Sequence, residues 1–131
     1  MRIQHFAGRN NIPVGCRSLV LSYGLMQHWL RQNDIQASVI FNNEQPVSWS
    51  AFIPAYPDHD TILAKFNIGV FTAREHRGNG LGKLVMRHAL YFIAMFNPHA
   101  VVRYGSTQCY AFNNTYNTEI VRLGLTPDHC Y

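Results

Sequence analysis

The chain has no apolar run approaching the roughly 18 residues of a membrane span, and its polar start, Met1-Arg2-Ile3-Gln4-His5, lacks the pattern of a secretory signal. A cytosolic location is the expectation. Cysteine is scarce: Cys16, Cys109 and Cys130 form no short paired spacing, which argues against a zinc site and a disulfide framework, and no metal is expected. Acids are few as well, 7 against 11 Lys and Arg, yet the basic residues are scattered. A net charge of +4 without a basic stripe argues against a nucleic-acid surface. Repeats, low-complexity tracts and linkers are absent too, so the 131 residues read as one domain, 1–131, with about half its residues apolar.

What is present begins with glycine. Arg77-Gly78-Asn79-Gly80-Leu81-Gly82 lies between an apolar extended run and an amphipathic segment of about four turns. Three glycines in six residues let backbone N–H groups turn inward, and a helix starting there adds the positive end of its dipole, so the loop favours an anion such as a pyrophosphate. A P-loop is excluded, because Gly82-Lys83 is followed by Leu84 and the first required glycine falls on Arg77. A dinucleotide fingerprint is excluded likewise: its third glycine falls on Lys83 or Val85.

The periodicities supply a frame for this loop. Val14 to Gln32 carries apolar residues at helical spacing, and Ala37–Phe41 with Val47–Ile53 reads as a hairpin joined by Asn42-Asn43-Glu44-Gln45. Ile62–Thr72 is the strand that enters the loop. From Gly80 to Phe96, Lys83, Arg87 and Tyr91 form a solvent stripe, with Leu84, Val85, Ala89, Phe92, Ile93 and Phe96 expected against the sheet. Asn97-Pro98 stops that helix, Ala100–Tyr104 reads as a buried strand and Asn114–Leu123 as a short helix. The order defines a mixed α/β layer architecture.

Arg77, Gly80 and Gly82, preceded by Val70-Phe71-Thr72-Ala73-Arg74-Glu75-His76, resemble the acyl-CoA-binding loop of the GCN5-related N-acetyltransferases, whose signature is Gln or Arg, two residues, Gly, one residue, then Gly or Ala. A second block, Asn113 to Leu125, is similar to the family's later motif, an Asn-opened helix closing on Gly and an apolar residue. The resemblance runs from about Ala37 to Leu125. It implies a mixed central sheet flanked by helices, with the strands Ile62–Thr72 and Ala100–Tyr104 splayed to form an acyl-CoA cleft. It also implies an N-acetyltransferase that moves an acetyl group from acetyl-CoA, as co-substrate, to a primary amine by direct attack in a ternary complex. The acceptor is left open among a small amine, a lysine and a protein N-terminus.

The same resemblance assigns candidate residues. Main-chain N–H groups of Val70, Phe71 and Thr72 would polarise the thioester, and Arg77, Gly78, Asn79, Gly80, Leu81, Gly82 and Lys83 would hold the pyrophosphate. Asn113 or Asn114 would bond the pantetheine arm or cap the helix. His59 is the candidate base among Asp58, His59, Asp60, Glu75 and His76. The family's frequent tyrosine acid falls on Ile120, which donates nothing, so Tyr116, one turn earlier on the same face, is the candidate acid, with a place in the core as its other reading. Only seven residues follow Gly124 where the family continues through two strands. At best one short strand fits, and the open edge suggests a homodimer. The competing readings are a catalytically weakened domain of the same fold that binds CoA or a protein partner without turnover, and a nucleic-acid module resting on mild basicity and Tyr104, Tyr110 and Phe112.

Overall fold

The computed structural model of the protein describes residues 1–19, 31–55, 63–105 and 110–130. Its described strands are β1 (Arg2–Ala7), β2 (Gln36–Asn42), β3 (Gln45–Ala55), β4 (Lys65–Thr72), β5 (Val101–Gly105) and β6 (Thr126–Cys130). They join in that order into one sheet, antiparallel from β1 to β4 and parallel from β4 to β6. The described helices are α1 (Val14–Leu19), α2 (Leu81–Phe96) and α3 (Tyr110–Arg122). None is long and apolar enough to cross a membrane.

The hairpin forms where expected. Asn42 faces Gln45, and Asn43 and Glu44 both take positive φ, 51° and 64°, the requirement of a two-residue turn matched to strand twist. Arg2 clasps the tip, with its guanidinium 2.9 Å from Glu44 Oε2 and 4.1 Å above the Phe41 ring. The predicted helix over Val14–Gln32 appears at its start as α1; residues 20–30 lie outside the described residues, and Arg31 and Gln32, expected at its end, are not helical.

Two strands escape a reading by periodicity. β1 pairs with β2 through Arg2↔Phe41 to Ala7↔Gln36, although half its residues are polar and they do not alternate cleanly with the apolar ones. β6, the one short strand expected after Gly124, lies parallel to β5, with Pro127 tolerated on an edge strand. Its Asp128 sits 3.2 Å from Lys65 Nζ and 3.6 Å from Arg103 Nε, tying the first residue of β4 across β5 to β6.

Side chains alternate across the sheet, so it builds two cores. On one face Ile12, Cys16 and Ile35 cover Ala37, Val39, Trp49, Ala51 and Ile53. On the other, α2 and α3 cover Phe52, Phe66, Ile68, Val102 and Tyr104. The buried stripe of α2 is Leu81, Val85, Met86, Ala89, Leu90 and Ile93. Leu84 and Phe96, expected against the sheet, are 52% and 70% exposed; at 100° per residue Leu84 falls outside the arc centred on Val85, Ala89 and Ile93, whereas Phe96 lies on the buried side of the wheel but is the last residue of the helix.

Cys16 gives this core a test. Burial pushes its thiol up to about 12 from 9.0. The folded pKa is raised, so the neutral thiol's contribution is complete below pH 9 and lost as pH rises toward 12, at up to about 1.4 kcal/mol per unit. Chemical unfolding from pH 8 to 11 is expected to show a falling alkaline limb that Cys16→Ala flattens.

Candidate active site

The site follows from a register. Among the described residues the parallel ladder between β4 and β5 runs from Lys65↔Val101 to Ile68↔Tyr104, while β4 continues through Gly69, Val70, Phe71 and Thr72. Those four residues remain paired with β3 on the other side. Ala73 N–H donates to Val47 O at 2.8 Å, so by alternation the main-chain groups of Gly69 and Phe71 face β3, and those of Val70 and Thr72 face the β5 side. Among the described residues no strand pairs there. The splayed strands expected to form a cleft are thus β4 and β5.

The β3 side is braced by serine. Ser50 Oγ donates to Gly69 O at 3.0 Å, and Ser48 Oγ donates to Phe71 O at 3.1 Å while lying 2.8 Å from Thr72 Oγ1. Both serines are fully buried. Their hydroxyls fix the peptide planes of the unpaired segment without touching its open side, a role hinted at only by the alternation Val47-Ser48-Trp49-Ser50-Ala51.

The glycine loop follows directly. After a single 3-10 turn at Arg74–His76 the chain passes Gly78 at φ 85° and Gly80 at φ 76°. Gly80 is the N-cap of α2 in the left-handed region, with no side-chain cap, and the first helical bond runs from Leu84 N–H to Gly80 O at 3.1 Å. The N–H groups of Leu81, Gly82 and Lys83 therefore emerge from a 16-residue helix with no capping side chain. With the dipole behind them they suit an anion. Arg77 donates its Nε to Thr72 O at 3.0 Å, which lashes the loop to the open edge of β4. Asn79 and Lys83 are exposed.

The remaining candidates sit as follows. Asn113 is buried within α3 and Asn114 is exposed; the helix already begins at Tyr110, so neither caps it. Tyr116 is buried and stacks on Tyr104, ring centroids 4.8 Å apart and planes within 11°. Tyr104 is the last residue of β5 that pairs with β4 among the described residues. Burial, with Tyr104 beside it, keeps the Tyr116 phenol protonated well above the usual tyrosine range. Ile120 is buried in the same core. Glu75 is exposed and His76 half-buried in the turn after β4. His59, Asp58 and Asp60 lie outside the described residues. Among the described residues no cluster of His, Cys, Asp and Glu forms a metal site.

α2 and α3, which carry the loop and Tyr116, are bolted together. Glu119 on α3 is buried, and its Oε2 lies 2.8 Å from Arg87 Nε on α2 and 3.0 Å from Arg122. The hydrogen bond from Arg87, with Arg122 adding to it, holds this carboxyl below the usual range against the opposing effect of burial.

An open sheet whose fourth and fifth strands part above a glycine loop and a helix N-terminus is the fold of the GCN5-related N-acetyltransferases, and this chain has that fold. It is similar to the ribosomal-protein-alanine N-acetyltransferase from Brucella melitensis biovar Abortus 2308, at 16% identity over 92% of this chain and 91% of that one, TM-score 0.64. The aminoglycoside acetyltransferase meta-AAC0020 from an uncultured soil metagenomic sample, solved with sisomicin, matches at 16% identity, 89% and 86% coverage and TM-score 0.65. The aminoglycoside N-acetyltransferase AAC(6')-Iy, solved with CoA, matches at 10% identity, 94% and 90% coverage and TM-score 0.62. No family model and no curated protein matches the sequence. Identities this low carry the fold and leave the activity to the residues.

Proposed function

We propose that the protein is an N-acetyltransferase that moves an acetyl group from acetyl-CoA to a primary amine by direct attack in a ternary complex. The observation that carries this reading is the edge of β4 at Val70 and Thr72, with which no strand pairs among the described residues, beside the uncapped N-terminus of α2. The backbone N–H groups from Gly78 to Lys83 receive the pyrophosphate, with Arg77 and Lys83 adding positive charge. The Val70 N–H, aimed into the splay by strand alternation, donates to the thioester carbonyl oxygen as negative charge develops there. Phe71 and Thr72 set its direction through their pairing with Trp49 and Ser48, and Asn113 bonds the pantetheine arm.

In the reaction the amine nitrogen attacks the carbonyl carbon, the new C–N bond forms and the C–S bond breaks. One proton leaves the nitrogen and one reaches the departing sulfur. His59 is the proposed acceptor of the first and Tyr116 the proposed donor of the second; the raised proton affinity of the Tyr116 phenol leaves it in donor form at neutral pH. The acceptor class stays broad. Two of the similar structures are aminoglycoside acetyltransferases and one acts on a ribosomal protein alanine by its name.

Burial of Tyr116 in the core favours a second reading, a domain that binds CoA without turnover. Two measurements separate the readings. Acetyl-CoA at a hundred times its dissociation constant is expected to add about 2.7 kcal/mol, a rise of several degrees in the unfolding temperature. A rise with thiol release from an amine panel supports the transferase, and a rise without release supports the binding domain. No rise removes both. Tyr116→Phe is expected to lower turnover at least tenfold with the unfolding rise retained; unchanged turnover would exclude Tyr116 as the acid.

A further inference from the structure

A second polar assembly lies under α2, at the β1 end of the sheet. Ser38 on β2 is fully buried, and two imidazoles converge on its hydroxyl: His5 Nδ1 from β1 and His88 Nδ1 from α2, each 2.8 Å from Oγ. The register supplies the first contact, since His5 pairs directly with Ser38. His5 Nε2 lies 2.9 Å from Gln36 Oε1, and its ring stacks on Phe92, 3.8 Å between centroids and 7° from parallel, with Phe52 at 5.8 Å. His88 and Phe92 share one face of α2, four residues apart.

A serine hydroxyl has one hydrogen and two lone pairs. The two Nδ1 atoms therefore have opposite roles. Two bare nitrogens would leave one contact without a proton, and two N–H groups would leave the buried serine hydrogen without an acceptor. Gln36 sets the direction: its carbonyl oxygen accepts from His5 Nε2–H, so neutral His5 has a bare Nδ1 that accepts from Ser38. Ser38 in turn accepts from His88 Nδ1–H. This leaves a lone pair on Nε2 of His88, a half-buried residue of α2.

We infer that His5, Ser38 and His88 form a site for a single proton, a directed hydrogen-bond chain that takes up one proton at His88 Nε2 and opposes a second. The first proton makes His88 an imidazolium that still donates to Ser38. Its Nδ1 proton then passes to Ser38 Oγ as the serine's own proton passes to His5 Nδ1, which moves the charge to His5 and leaves His88 neutral with hydrogen on Nε2. Every contact keeps one proton in both forms. A second proton would give two Nδ1–H donors to one oxygen, a buried hydroxyl hydrogen with no acceptor and two cations whose rings are 6.3 Å apart.

The surroundings agree. Burial lowers the proton affinity of both rings; at His5 the Gln36 contact opposes it and His88 adds to it. Among the described residues His88 is the one titratable group acting on His5. Gln36, Ser38, Phe52 and Phe92 are uncharged, and Arg87, the neighbour of His88, turns to Glu119. Both folded pKa values lie below the unfolded histidine value, so the tie between β1 and α2 is complete above about pH 6.5 and weakens as pH falls through the folded values.

The test is long-range nitrogen–proton NMR of the imidazoles in the whole protein. At pH 8 the two rings are expected in opposite tautomers, one carrying hydrogen on Nδ1 and the other on Nε2. On acidification both are expected to respond in a first shared step, with the second step at least one pH unit lower. His88→Gln, at this half-buried position, should leave His5 titrating in one step. The same tautomer in both rings, two independent steps near pH 6.5, or an unchanged His5 curve in His88→Gln would overturn the inference.

Discussion

Acetyl-CoA is expected to lose its hold on the double variant Arg77→Ala, Gly80→Val, with affinity falling at least a hundredfold, about 2.7 kcal/mol. The argument rests on backbone angles. Gly80 sits at φ 76°, where a β-branched residue costs about 1–3 kcal/mol, so valine drives the N-cap out of the left-handed region. Among the described residues nothing lies within 4 Å of where a β-carbon at Gly80 would sit, so the cost is in the backbone angle, and its effect is to re-aim the N–H groups of the first turn of α2. Arg77→Ala removes the bond to Thr72 O, which ties the loop to the open edge of β4. Both changes leave the buried stripe of α2 untouched. The unliganded variant is therefore expected to unfold only a few degrees lower, and calorimetric titration at a temperature where it is folded reads the affinity. Wild-type affinity in the folded variant would remove the loop from the binding site. Asn79→Ala, an exposed change between the two glycines, is expected to alter affinity by less than threefold.

The loop was legible because its demands are local. Glycine at positive φ, a helix beginning within two residues and a strand ending just before it are all written in adjacent residues. The hairpin was legible for the same reason, since Asn43-Glu44 sits between two β-rich runs. β1 was not. Arg2-Ile3-Gln4-His5-Phe6-Ala7 has no clean alternation because His5 faces α2 as a hydrogen-bonded polar residue, and its strand character comes from pairing with β2. The stripe of α2 was only partly legible: Val85, Ala89 and Ile93 point inward as the period requires, but Leu84 is an apolar residue on the exposed side and Phe96, though in phase with the stripe, is exposed as the last residue of the helix. The splay is a property of register, since among the described residues β4 runs four residues past its last pair with β5, and no composition signals where a parallel ladder stops. Resemblance alone suggested it. Buried Asn113 was expected to act at the start of its helix, but α3 begins three residues earlier, where Tyr110 carries no cap signature. A general base has no pattern of its own when acids are few, and the candidate His59 rests on residue type and its place before β4.

The helices that carry the loop and Tyr116 depend on one buried charge, and removing its partners is expected to destabilise the protein more than removing the charge itself. Glu119 is 3% exposed in its side chain, whereas Arg87 and Arg122 are 43% and 55% exposed. In Glu119→Gln the two guanidinium groups turn to water and the amide still offers an oxygen, so the loss is about 1–2 kcal/mol. In Arg87→Ala, Arg122→Ala the carboxylate is left buried without a counter-ion, a loss of about 3–5 kcal/mol. The pH dependence distinguishes this from lost packing. In the wild type the carboxyl is held below its ordinary range, chiefly by Arg87, so its contribution is present above about pH 4.5 and lost as pH falls through the folded value. In the double arginine variant burial acts alone and raises that carboxyl, so protonation relieves the strain and the deficit against wild type narrows on acidification from pH 7 to 4. A deficit that stays constant with pH would assign the loss to the arginine stems packed on the helices. A Glu119→Gln variant as damaged as the double arginine variant would show that the pair stabilises by attraction, with the desolvated charge playing no part. Under either result α2 and α3 are loosened together, and with them the spacing between the glycine loop and the Tyr104–Tyr116 stack on which the proposed binding of acetyl-CoA rests.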